Sequence, residues 1–363
     1  MAVTNDLATD RRVLRHAAAL RDAGCEVSLV GREREVSLPL PKEWDARRLR
    51  VKWDRGWRFY AAFNWSLFKE LRKRDADILW ANDSDTLPGC WLAAKWRGRK
   101  LVMDAHELFP EVPEIQGKPL VKWIWRTVER LLMPQCDWLL TVCDSIAEYY
   151  RQELGVSMGV VRNMQERREE NTAAADGMLS SLRLPHSSPI LLYQGAVNLG
   201  RGVDWAIDAL EWLPECQLVV AGDGDKLEEM RRYAAEKPWS GRVTFTGRLT
   251  PAELEVLTRK AAVGLVMLED LGLSYHYALP NRIGDFVAAG VPMVVSDLPE
   301  MARVVKRFKV GEVMRDTSAK ALAESVERVL ARKWEETDFA AARKDMNWER
   351  EKEKLQEVVR WVN

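Results

Sequence analysis

Residues 273–300 read LSYHYALPNRIGDFVAAGVPMVVSDLPE. The segment opens as a loop of polar and aromatic residues and continues after Pro280 with apolar residues at helical spacing up to Gly290. Proline suits the first turn of a helix, and glycine suits the position just past its end. A short buried strand, residues 293–296, is predicted next. The loop is therefore aimed at a helix N-terminus, where unpaired backbone N–H groups and the helix dipole favour phosphate.

The rest of the chain alternates apolar strands with amphipathic helices, which is typical of parallel sheets built from βαβ units. Predicted strands cover residues 26–30, 77–80, 100–104, 138–142 and 159–161 in the first half, and 190–194, 217–221, 243–246, 263–267 and 311–314 in the second. Helices are predicted at residues 10–21, 251–260, 318–332 and 338–361, and two more end near residues 97 and 154. Residues 1–4 are too short for a comfortable strand. The predicted fold class is therefore α/β with two parallel-sheet domains.

Residues 165–188 carry charged and small side chains with the weakest periodicity in the chain. Such a stretch is typical of a linker. It is predicted to separate an N-terminal domain, residues 1–164, from a C-terminal domain, residues 189–337. The last segment, residues 338–363, is rich in Lys, Glu and Arg, which is compatible with a solvated helix. Its apolar residues Trp348, Leu355, Val358 and Val359 would also give it a face to bury.

Composition limits the classes of protein that remain. The chain has 363 residues with 47% hydrophobic content, enough for about two domains with cores. The formal net charge of +0 gives no indication of a nucleic-acid partner. The five cysteines are scattered without a CxxC pair, which favours a reducing cytoplasm over a disulfide framework or a zinc site. No apolar run has the length of a membrane span. The sequence therefore predicts a cytoplasmic protein that is soluble or peripheral to a membrane.

Three other loops follow predicted strands and carry candidate ligand groups. The loop at residues 195–204, GAVNLGRGVD, offers glycines for close backbone approach and Arg201 as a cation that can bind a diphosphate in bidentate fashion. The loop at residues 221–224, AGDG, is a weaker signal, and a structural turn is its favoured interpretation. His106 and Glu107 follow strand 100–104, at the edge where open α/β sheets bind ligands. A lone histidine in a loop is more often structural, but this position favours a functional role.

These segments resemble one family. The run YALPNRIGDFVAAGVPMVVSDLPE is similar to the donor-site segment of retaining, nucleotide-sugar-dependent glycosyltransferases of the two-Rossmann-domain (GT-B) type, family 4 in particular. In that family a carboxylate is followed five residues later by glycine and then by a proline-led strand, as Asp285, Gly290 and Pro292 are here. GAVNLGRG, DAHELFPE and the opening TNDLATDRRV contribute to a resemblance that spans nearly the whole chain. It implies two Rossmann-like domains that face a central cleft, with the C-terminal helix crossing back to the first.

The resemblance also implies roles for individual residues. The residues expected to act in catalysis are His106, near the donor sugar, with Arg201 and Arg282 on the diphosphate. Residues on the acceptor side are expected to be Asn82, Asp83 and Glu107. Asp285 is expected to hold the ribose, and the other expected donor contacts are Gly195, Gly200, Gly202, Gly222, Gly247, Arg248, Tyr275, His276, Tyr277, Pro280 and Asn281.

Three departures from the family pattern affect these roles. No glycine lies between Met1 and Gly24 to let a phosphate approach the first turn. Many relatives carry an arginine after the first glycine of the 195–204 loop, where this chain has Ala196, so Arg282 is expected to compensate. The first of two family carboxylates falls on Tyr277. Its contact with the donor sugar would then pass to Ser274, Tyr275 or His276.

The reaction that the resemblance implies is transfer of a hexosyl group from a nucleotide-diphosphate donor to a hydroxyl, with retention at the anomeric carbon. Preorganised positive charge would stabilise the leaving diphosphate without a metal or another cofactor. The expected acceptor is a glycan, a lipid-linked sugar or an envelope precursor in polysaccharide biosynthesis. Two alternatives stay open. One is a sugar-nucleotide epimerase or phosphorylase on the same scaffold, and the other is a non-catalytic protein that binds nucleotide sugars.

A basic and aromatic pattern in the first domain raises one more hypothesis. Residues 42–74 hold eleven Lys or Arg against four Asp or Glu. The aromatic residues among them are Trp44, Trp53, Trp57, Phe59, Tyr60, Phe63, Trp65 and Phe68, and a second such segment, KPLVKWIWRTVER, covers residues 118–130. Cations mixed with aromatic side chains suit an anionic lipid surface. The equally weighted alternative is that these rings belong to the core while the charges are solvated.

Overall fold

The computed structural model describes residues 1–8, 10–34, 37, 39, 43–164 and 188–362. The predicted linker, apart from Ser188, lies outside these ranges. The chain forms two compact units. The first contains residues 1–163, 272–274 and 349–363, and the second contains residues 164–271 and 275–348.

The first unit is a parallel α/β sheet with its helices. Its elements are α1 (Arg11–Asp22), β1 (Ser28–Arg32), β2 (Asp45–Leu49), α2 (Gly56–Leu71), β3 (Ile78–Asn82), α3 (Leu87–Arg97), β4 (Lys100–Ala105), α4 (Pro119–Leu132), β5 (Trp138–Thr141), α5 (Asp144–Leu154) and β6 (Gly159–Val160). The strands β3, β4, β5 and β6 lie side by side in that order, and β1 pairs with β2. Ala2 forms parallel bridges to Val30 and to Ala81, so residues 1–4 contribute one bridging residue and no full strand.

Helix α1 begins as the sequence predicts. The Asp10 carboxylate accepts a hydrogen bond from the Val13 N–H and so caps the helix. Val13, Ala17 and Leu20 are buried as expected. Arg12 and His16 are also buried, although they are polar, and this was not predicted. A polar pair at i and i+4 on the apolar side of a helix is the sequence signal that would have indicated a buried polar cluster.

The second unit has a six-stranded parallel sheet. Its elements are β7 (Ile190–Gln194), α6 (Val203–Ala209), β8 (Gln217–Ala221), α7 (Leu227–Ala235), β9 (Val243–Gly247), α8 (Pro251–Lys260), β10 (Val263–Val266), the second half of α9 (Leu273–His276), α10 (Asn281–Ala289), β11 (Met293–Val295), α11 (Pro299–Phe308), β12 (Gly311–Val313), α12 (Ala319–Ala331) and α13 (Ala340–Asp345). The strand order is β12-β11-β10-β7-β8-β9. Strands β8 and β9 follow β7 towards one edge of the sheet, whereas β10, β11 and β12 lie on the other side of β7. The strand order therefore reverses between β7 and β10, and this pair is the topological switch point.

Several sequence predictions need correction. One continuous helix over residues 338–361 is wrong, because a short 3₁₀ helix (Glu336–Phe339), α13 and α14 (Trp348–Val362) replace it. The Asn347 amide donates to the carbonyls of Arg343 and Lys344, which takes up helix-end carbonyls and terminates α13. The polar-aromatic loop at residue 273 contains the short helix α9. The sequence missed β2, α2, α7 and α11, whereas the predicted strands 190–194 and 217–221 and helix 251–260 are confirmed.

Helix α14 packs in the first unit apart from its first residue. Glu351 is fully buried, and it accepts hydrogen bonds from the Arg162 N–H at 2.9 Å and the Arg162 guanidinium at 2.8 Å. Lys352 pairs with Asp22 at 2.7 Å. Leu355, Val358 and Val359 are buried, as is Trp348 in the second unit, so the predicted apolar side of this segment is buried.

Candidate functional site

Two loops of the second unit that carry predicted donor residues meet at its switch point. The loop after β7 begins at Gly195, and the segment after β10 begins at Met267. Leu191 and Val263 are register partners in the two parallel strands, so both loops leave the same edge of the sheet. A crevice at the carboxyl ends of diverging strands is where open α/β sheets bind ligands.

Glycines in the loop after β7 are required by close packing. Gly200 and Gly202 have φ values of +72° and +66°, which side chains with a Cβ rarely adopt. A Cβ on Gly200 would lie 2.4 Å from the Leu271 side chain, and one on Gly202 would lie 2.7 Å from Met267. The backbone at this loop therefore lies directly on the segment that follows β10.

The AGDG segment supports that loop from the other side. A Cβ on Gly222 would lie 1.8 Å from the Gly195 carbonyl oxygen, a distance that no side chain tolerates. The Val197 N–H donates to the Asp223 carbonyl at 3.0 Å, and the Lys226 N–H donates to the Val197 carbonyl at 2.9 Å. The glycine at position 222 is thus explained by packing against the first loop. This geometry agrees with the structural-turn interpretation and places Gly222 behind the loop that follows β7.

Arg282 is buried at the switch point. Its guanidinium donates to the carbonyls of Gln194 at 2.9 Å and Met267 at 3.2 Å, which are the last residue of β7 and the first after β10. The guanidinium carbon lies 4.7 Å from the centroid of the Tyr193 ring. One of its terminal nitrogens lies 3.4 Å from the position of a Cβ on Gly195. Arg282 therefore joins the two strand ends and borders the glycine loop.

Arg201 lies in the glycine loop that Arg282 borders, between Gly200 and Gly202. Its guanidinium carbon stands 4.8 Å from the centroid of the Tyr275 ring. Burial lowers the pKa of Arg282, and the positive charge of Arg201 lowers it further. Neither guanidinium forms an ion pair with any carboxylate of the described residues. Two neighbouring cations without a counter-ion make a strong site for an anion with several oxygens.

Helix α10 starts beside these arginines. Pro280 occupies the N-cap, one position before the predicted first turn, and Asn281 is the first helical residue and is exposed. Gly290 ends the helix in the left-handed conformation, with a φ of +72°, as predicted. Because Arg282 is in the first turn, the positive end of the helix dipole adds to the charge of the two guanidinium groups.

Asp285, predicted to hold ribose hydroxyls, is oriented by side chains that the sequence reasoning missed. The Gln194 amide donates to one Asp285 carboxylate oxygen at 2.8 Å. The Thr258 hydroxyl in turn donates to the Gln194 amide oxygen at 2.9 Å. Gln194 is the last residue of β7. A polar amide at the end of an apolar strand was the sequence signal that could have pointed to this residue. Asp285 is half-buried, and the Gln194 amide fixes the direction of its carboxylate.

The remaining donor-side predictions fall at different places. Tyr275 is buried, and its ring lies beneath Arg201. His276 pairs with Asp270 through Nδ1 at 2.9 Å, and its ring contacts the Tyr277 ring at 4.9 Å between centroids. Ser274 groups with the first unit. Gly247 ends β9 with a φ of +68°, and Arg248 after it is exposed, two strands away from β7.

The first unit has a polar cluster at the carboxyl edge of its sheet. His106 follows β4, and its Nδ1 lies 3.2 Å from the Asp83 carboxylate while its Nε2 lies 3.2 Å from the Asp104 carboxylate. The His106 N–H also donates to Asp83 at 2.7 Å. Asp83 has a left-handed φ of +63°, unusual for a residue with a Cβ. The strained backbone of Asp83 thus aims its carboxylate at His106.

Buried charges from α1 complete this cluster. Arg12 donates to both oxygens of Asp104, at 3.1 and 2.7 Å, and His16 lies 3.2 Å from the same carboxylate. Burial opposes ionisation of Asp104, but Arg12 and His106 outweigh it and hold the pKa of Asp104 well below its usual range. Burial and the charge of Arg12 lower the pKa of His16 to about 4. His16 is therefore neutral at pH 7, whereas Asp104 is charged.

His106 has the opposite shift. Burial lowers its pKa, but the carboxylates of Asp83 and Asp104 outweigh burial and raise the pKa to about 9. The side chain is therefore an imidazolium at pH 7, and both ring nitrogens already face carboxylates. This arrangement suits a fixed positive charge at the sheet edge and is poorly suited to a general base.

The other acceptor-side predictions differ in outcome. Asn82 is fully buried, and its amide donates to the Ala2 carbonyl at 2.8 Å, so this structure explains the residue by its place in the sheet, and its contact with an acceptor stays a prediction. Glu107 is exposed next to His106. Buried acids beside this loop were not predicted: burial raises the pKa of Asp85 to about 8 and that of Glu129 to about 7. Glu129 accepts from the Ser84 hydroxyl at 2.6 Å, which fixes the loop that carries Asp83.

Two negative findings concern the described residues. Within them, no group of three or more His, Cys, Asp or Glu side chains could hold a metal ion. No helix in the same ranges is both long enough and apolar enough to cross a membrane.

The fold and these clusters define a class of protein. It has two parallel-sheet α/β units, and the second carries a glycine loop and two arginines at its switch point, an arrangement common among nucleotide-binding α/β proteins.

Comparisons with known proteins identify the family within this class. The profile described as Glycosyltransferase Family 4 matches residues 9–163, and the profile described as Glycosyl transferases group 1 matches residues 178–346. The two matches together span most of the chain. The chain belongs to the family 4-like glycosyltransferases with the GT-B fold.

Individual relatives agree with this assignment. Sucrose-phosphate synthase from Thermosynechococcus elongatus has a TM-score of 0.77 at 20% identity, covering 97% of this chain and 92% of that one. Anabaena Alr3699/HepE, solved in complex with UDP and glucose, has a TM-score of 0.76 at 14% identity, covering 99% of this chain and 98% of that one. Alpha-D-kanosaminyltransferase from Streptomyces kanamyceticus is 27% identical over 154 residues. That match covers 37% of this chain and 40% of the relative, so the chain spans less than half of that protein's length.

Proposed function

We propose that the protein transfers a hexosyl group from a nucleoside diphosphate sugar to a hydroxyl acceptor. The observation that carries this proposal is the pair Arg201 and Arg282, which lack carboxylate partners among the described residues and lie beside a glycine loop at the switch point. A diphosphate has the charge and the oxygens to occupy such a site. The sugar would leave from that diphosphate, so the same cations would act on the leaving group.

The nucleotide is best tested first as UDP. The Anabaena neighbour was solved with UDP and glucose, and its fold matches this chain over nearly its full length. In this chain the Gln194 amide directs the half-buried Asp285 carboxylate, a group that can accept hydrogen bonds from two adjacent ribose hydroxyls. The sugar itself is not specified by these contacts. A panel of UDP, GDP, ADP and TDP sugars therefore belongs in the first experiment.

Charge stabilisation explains how the residues could accelerate transfer. Negative charge on the diphosphate grows as the bond to the anomeric carbon breaks, so fixed cations stabilise the transition state more than the ground state. Arg282 is held by two strand-end carbonyls and therefore needs no reorganisation when that charge develops. This mechanism uses no metal, and unchanged turnover in the presence of a chelator is the expected result.

Retention at the anomeric carbon is part of the proposal. The family resemblance supports attack on the same face that the diphosphate leaves, which needs no carboxylate base. In the first unit His106 has both ring nitrogens next to carboxylates and is held as a cation, so it is not available as that base. The anomeric configuration of the product, read by proton NMR immediately after transfer, tests retention directly.

The acceptor is proposed to be a glycan or a lipid-linked envelope precursor, bound at the sheet edge that carries Asp83, His106 and Glu107. Two of these side chains are negatively charged groups at an open edge, and acceptor hydroxyls can donate hydrogen bonds to them. A panel of soluble sugars and lipid-linked sugars would identify the acceptor class.

One observation favours a second candidate, a protein that binds nucleotide sugars without transferring them. Tyr277 stands where the family has its first carboxylate, and its neighbour His276 pairs with Asp270. The discriminating experiment combines donor binding by calorimetry with product formation across the acceptor panel. Donor binding with no product for any acceptor, and no hydrolysis or epimer, would favour the binding protein. Absence of binding to all the nucleoside diphosphates and their sugars would refute both functions.

A further inference from the structure

Exposed apolar side chains are concentrated on three helices of the first unit. Thirteen large apolar residues are exposed in the described part of the chain, and nine belong to α2, α3 and α4. The nine are Trp57, Trp65, Leu92, Trp96, Leu120, Val121, Trp123, Ile124 and Leu131. Trp57, Trp96 and Trp123 are 74%, 70% and 64% exposed, so these rings make few contacts in the protein. We call the outward side of these three helices the three-helix face.

The sequence left open whether the aromatic residues of this region are core or surface, and the structure divides them. Phe59 and Phe63 are buried, and Tyr60 packs against Trp125 with ring centroids 4.9 Å apart. Trp57 and Trp65 lie on the opposite, outward side of α2. The core interpretation is therefore confirmed for the buried rings, and the outward rings need another explanation.

The three helices are neighbours. The Gly89 N–H of α3 donates to the Asn64 side chain of α2 at 2.8 Å, and the Phe68 and Trp96 rings lie 6.3 Å apart. At the other side of α3, the Trp91 indole donates to Gln135, just after α4, at 3.1 Å. Parallel strands with right-handed crossovers put successive helices on one side of a sheet. The exposed apolar side chains therefore share a single surface.

Charge on this surface has one sign. The three helices hold seven Lys or Arg and only two carboxylates, Glu70 and Glu129. Glu129 is buried, and Glu70 pairs with Arg74 at 3.1 Å. Lys122 and Arg126 pair with the buried Glu111 and Arg97 pairs with Asp75. The cations that pair with no carboxylate of the described residues are Arg58, Lys69, Lys95 and Arg130.

Helix α4 has an exposed apolar stripe with one cation beside it. Leu120, Ile124 and Leu131 follow one side of the helix at spacings of four and seven residues. Arg130 lies about 100° around the helix from this stripe, whereas Lys122 and Arg126 lie nearer the buried side, where they pair with Glu111. An apolar stripe flanked by a cation suits a helix that lies in a membrane interface. Tryptophan adds to this because its amphipathic ring prefers the headgroup level.

We propose that the three-helix face is a docking surface for an anionic lipid bilayer. A second copy of the chain is a poor occupant, because a symmetric contact would oppose cations to cations. A neutral apolar partner would leave the unpaired cations without counter-charges. An anionic bilayer supplies both the apolar layer and the negative headgroups. The biological reason for docking rests on the proposed function, because the same membrane would carry a lipid-linked acceptor.

Vesicle flotation tests the surface without any sugar donor. The wild-type protein is mixed with phosphatidylcholine vesicles or with vesicles that also contain phosphatidylglycerol, at low and at high salt. We expect flotation only with the anionic vesicles and a marked loss at high salt. Wild-type protein that stays behind with anionic vesicles at low salt overturns the proposal, and so does equal flotation with both vesicle types.

Variants locate the surface. The double variant Trp123→Ser/Ile124→Ser should lower partitioning by about tenfold or more, because each exposed side chain loses apolar burial in the interface. Arg130→Glu should lower it by about fivefold or more, since each cation near an anionic surface contributes about 1 kcal/mol. Matched controls in the second unit are Trp212→Ser, with 42% exposure, and Lys333→Glu, and both should float like wild type. Flotation of the face variants at the wild-type level would overturn the assignment.

Two readouts separate this proposal from the proposed function. The face variants replace exposed side chains, so their circular dichroism and their turnover of a water-soluble acceptor should match those of wild type. Arg201→Ala should lose turnover and still float. If flotation fails while transfer to a soluble acceptor proceeds, the docking surface is refuted and the transferase function is untouched.

Discussion

Replacing Arg201 by alanine separates the role of this residue in function from any role in stability. In the structure its guanidinium carbon is 4.8 Å from the Tyr275 ring centroid and no carboxylate of the described residues pairs with it. The substitution removes a cation–π contact of about 0.5–1 kcal/mol and also relieves repulsion from Arg282. The free energy of unfolding should therefore change by less than about 1 kcal/mol.

The expected effect on turnover is much larger. Removing one preorganised donor to a developing negative charge typically costs 10²–10³ in kcat, or about 3–4 kcal/mol. Arg201→Ala should therefore lower kcat by about a hundredfold or more, and it should weaken binding of the intact donor less, because the charge on the diphosphate grows toward the transition state. Arg201→Lys keeps the charge without the bidentate geometry, so its kcat should lie between those of the wild type and Arg201→Ala.

The assay combines steady-state kinetics, calorimetric binding of the nucleoside diphosphate, and thermal unfolding. The matched control is Arg231→Ala, which removes another guanidinium above an aromatic ring of the second unit, 5.3 Å from the Phe245 centroid. This control should keep wild-type turnover. A folded Arg201→Ala protein with wild-type kcat and wild-type donor affinity would refute the claim that this loop holds the diphosphate.

Three further predictions test other parts of the two clusters. Asp285→Asn should raise the donor KM with little change in kcat, because a ribose contact is equal in ground and transition states; a selective loss of kcat would contradict this role. Gly222→Ala should abolish donor binding in calorimetry, because its Cβ would lie 1.8 Å from the Gly195 oxygen, whereas Gly241→Ala, with nothing within 4 Å, should bind normally. The pKa of His106, raised to about 9 against about 6.5 unfolded, stabilises the fold fully below pH 6.5, and this contribution is lost as pH rises through 9. Denaturant titrations should therefore show up to about 3 kcal/mol of pH-dependent stability between these limits that His106→Gln lacks.

The sequence determined the fold class and the positions of the glycine loop and the helix that meet at the switch point. Strands 190–194 and 217–221 are short apolar runs bounded by turn residues, and Gly290 ends its helix as expected, because these signals are local. Glycine spacing around Arg201 also identified the loop that lies at the switch point. Periodicity and turn chemistry act over a few residues, so they can be read without knowing the tertiary contacts.

Local patterns failed where a distant residue decides the conformation or the charge. Helix α2 was missed because its outward side carries tryptophans, which obscures the usual division into apolar and polar sides. The AGDG pattern favoured a structural turn without showing what Gly222 packs against, and only its distance from Gly195 supplies that reason. Asn82 was expected at an acceptor, and only the bridge to Ala2 buries it.

Tertiary structure alone decided the electrostatics of both clusters. Arg12 and Asp104 are 92 residues apart in sequence, and Gln194 and Asp285 are 91 apart, yet each pair is hydrogen-bonded. The sequence supplied His106 as a candidate, but its charge depends on two carboxylates that the ends of β3 and β4 bring within 3.2 Å. Burial and neighbours across the sheet decide whether a side chain is protonated and which of its hydrogen-bond donors and acceptors remain available to a ligand. The sequence therefore named the chemical groups of this protein, and the packing of parallel strands decided which of them can act on a ligand.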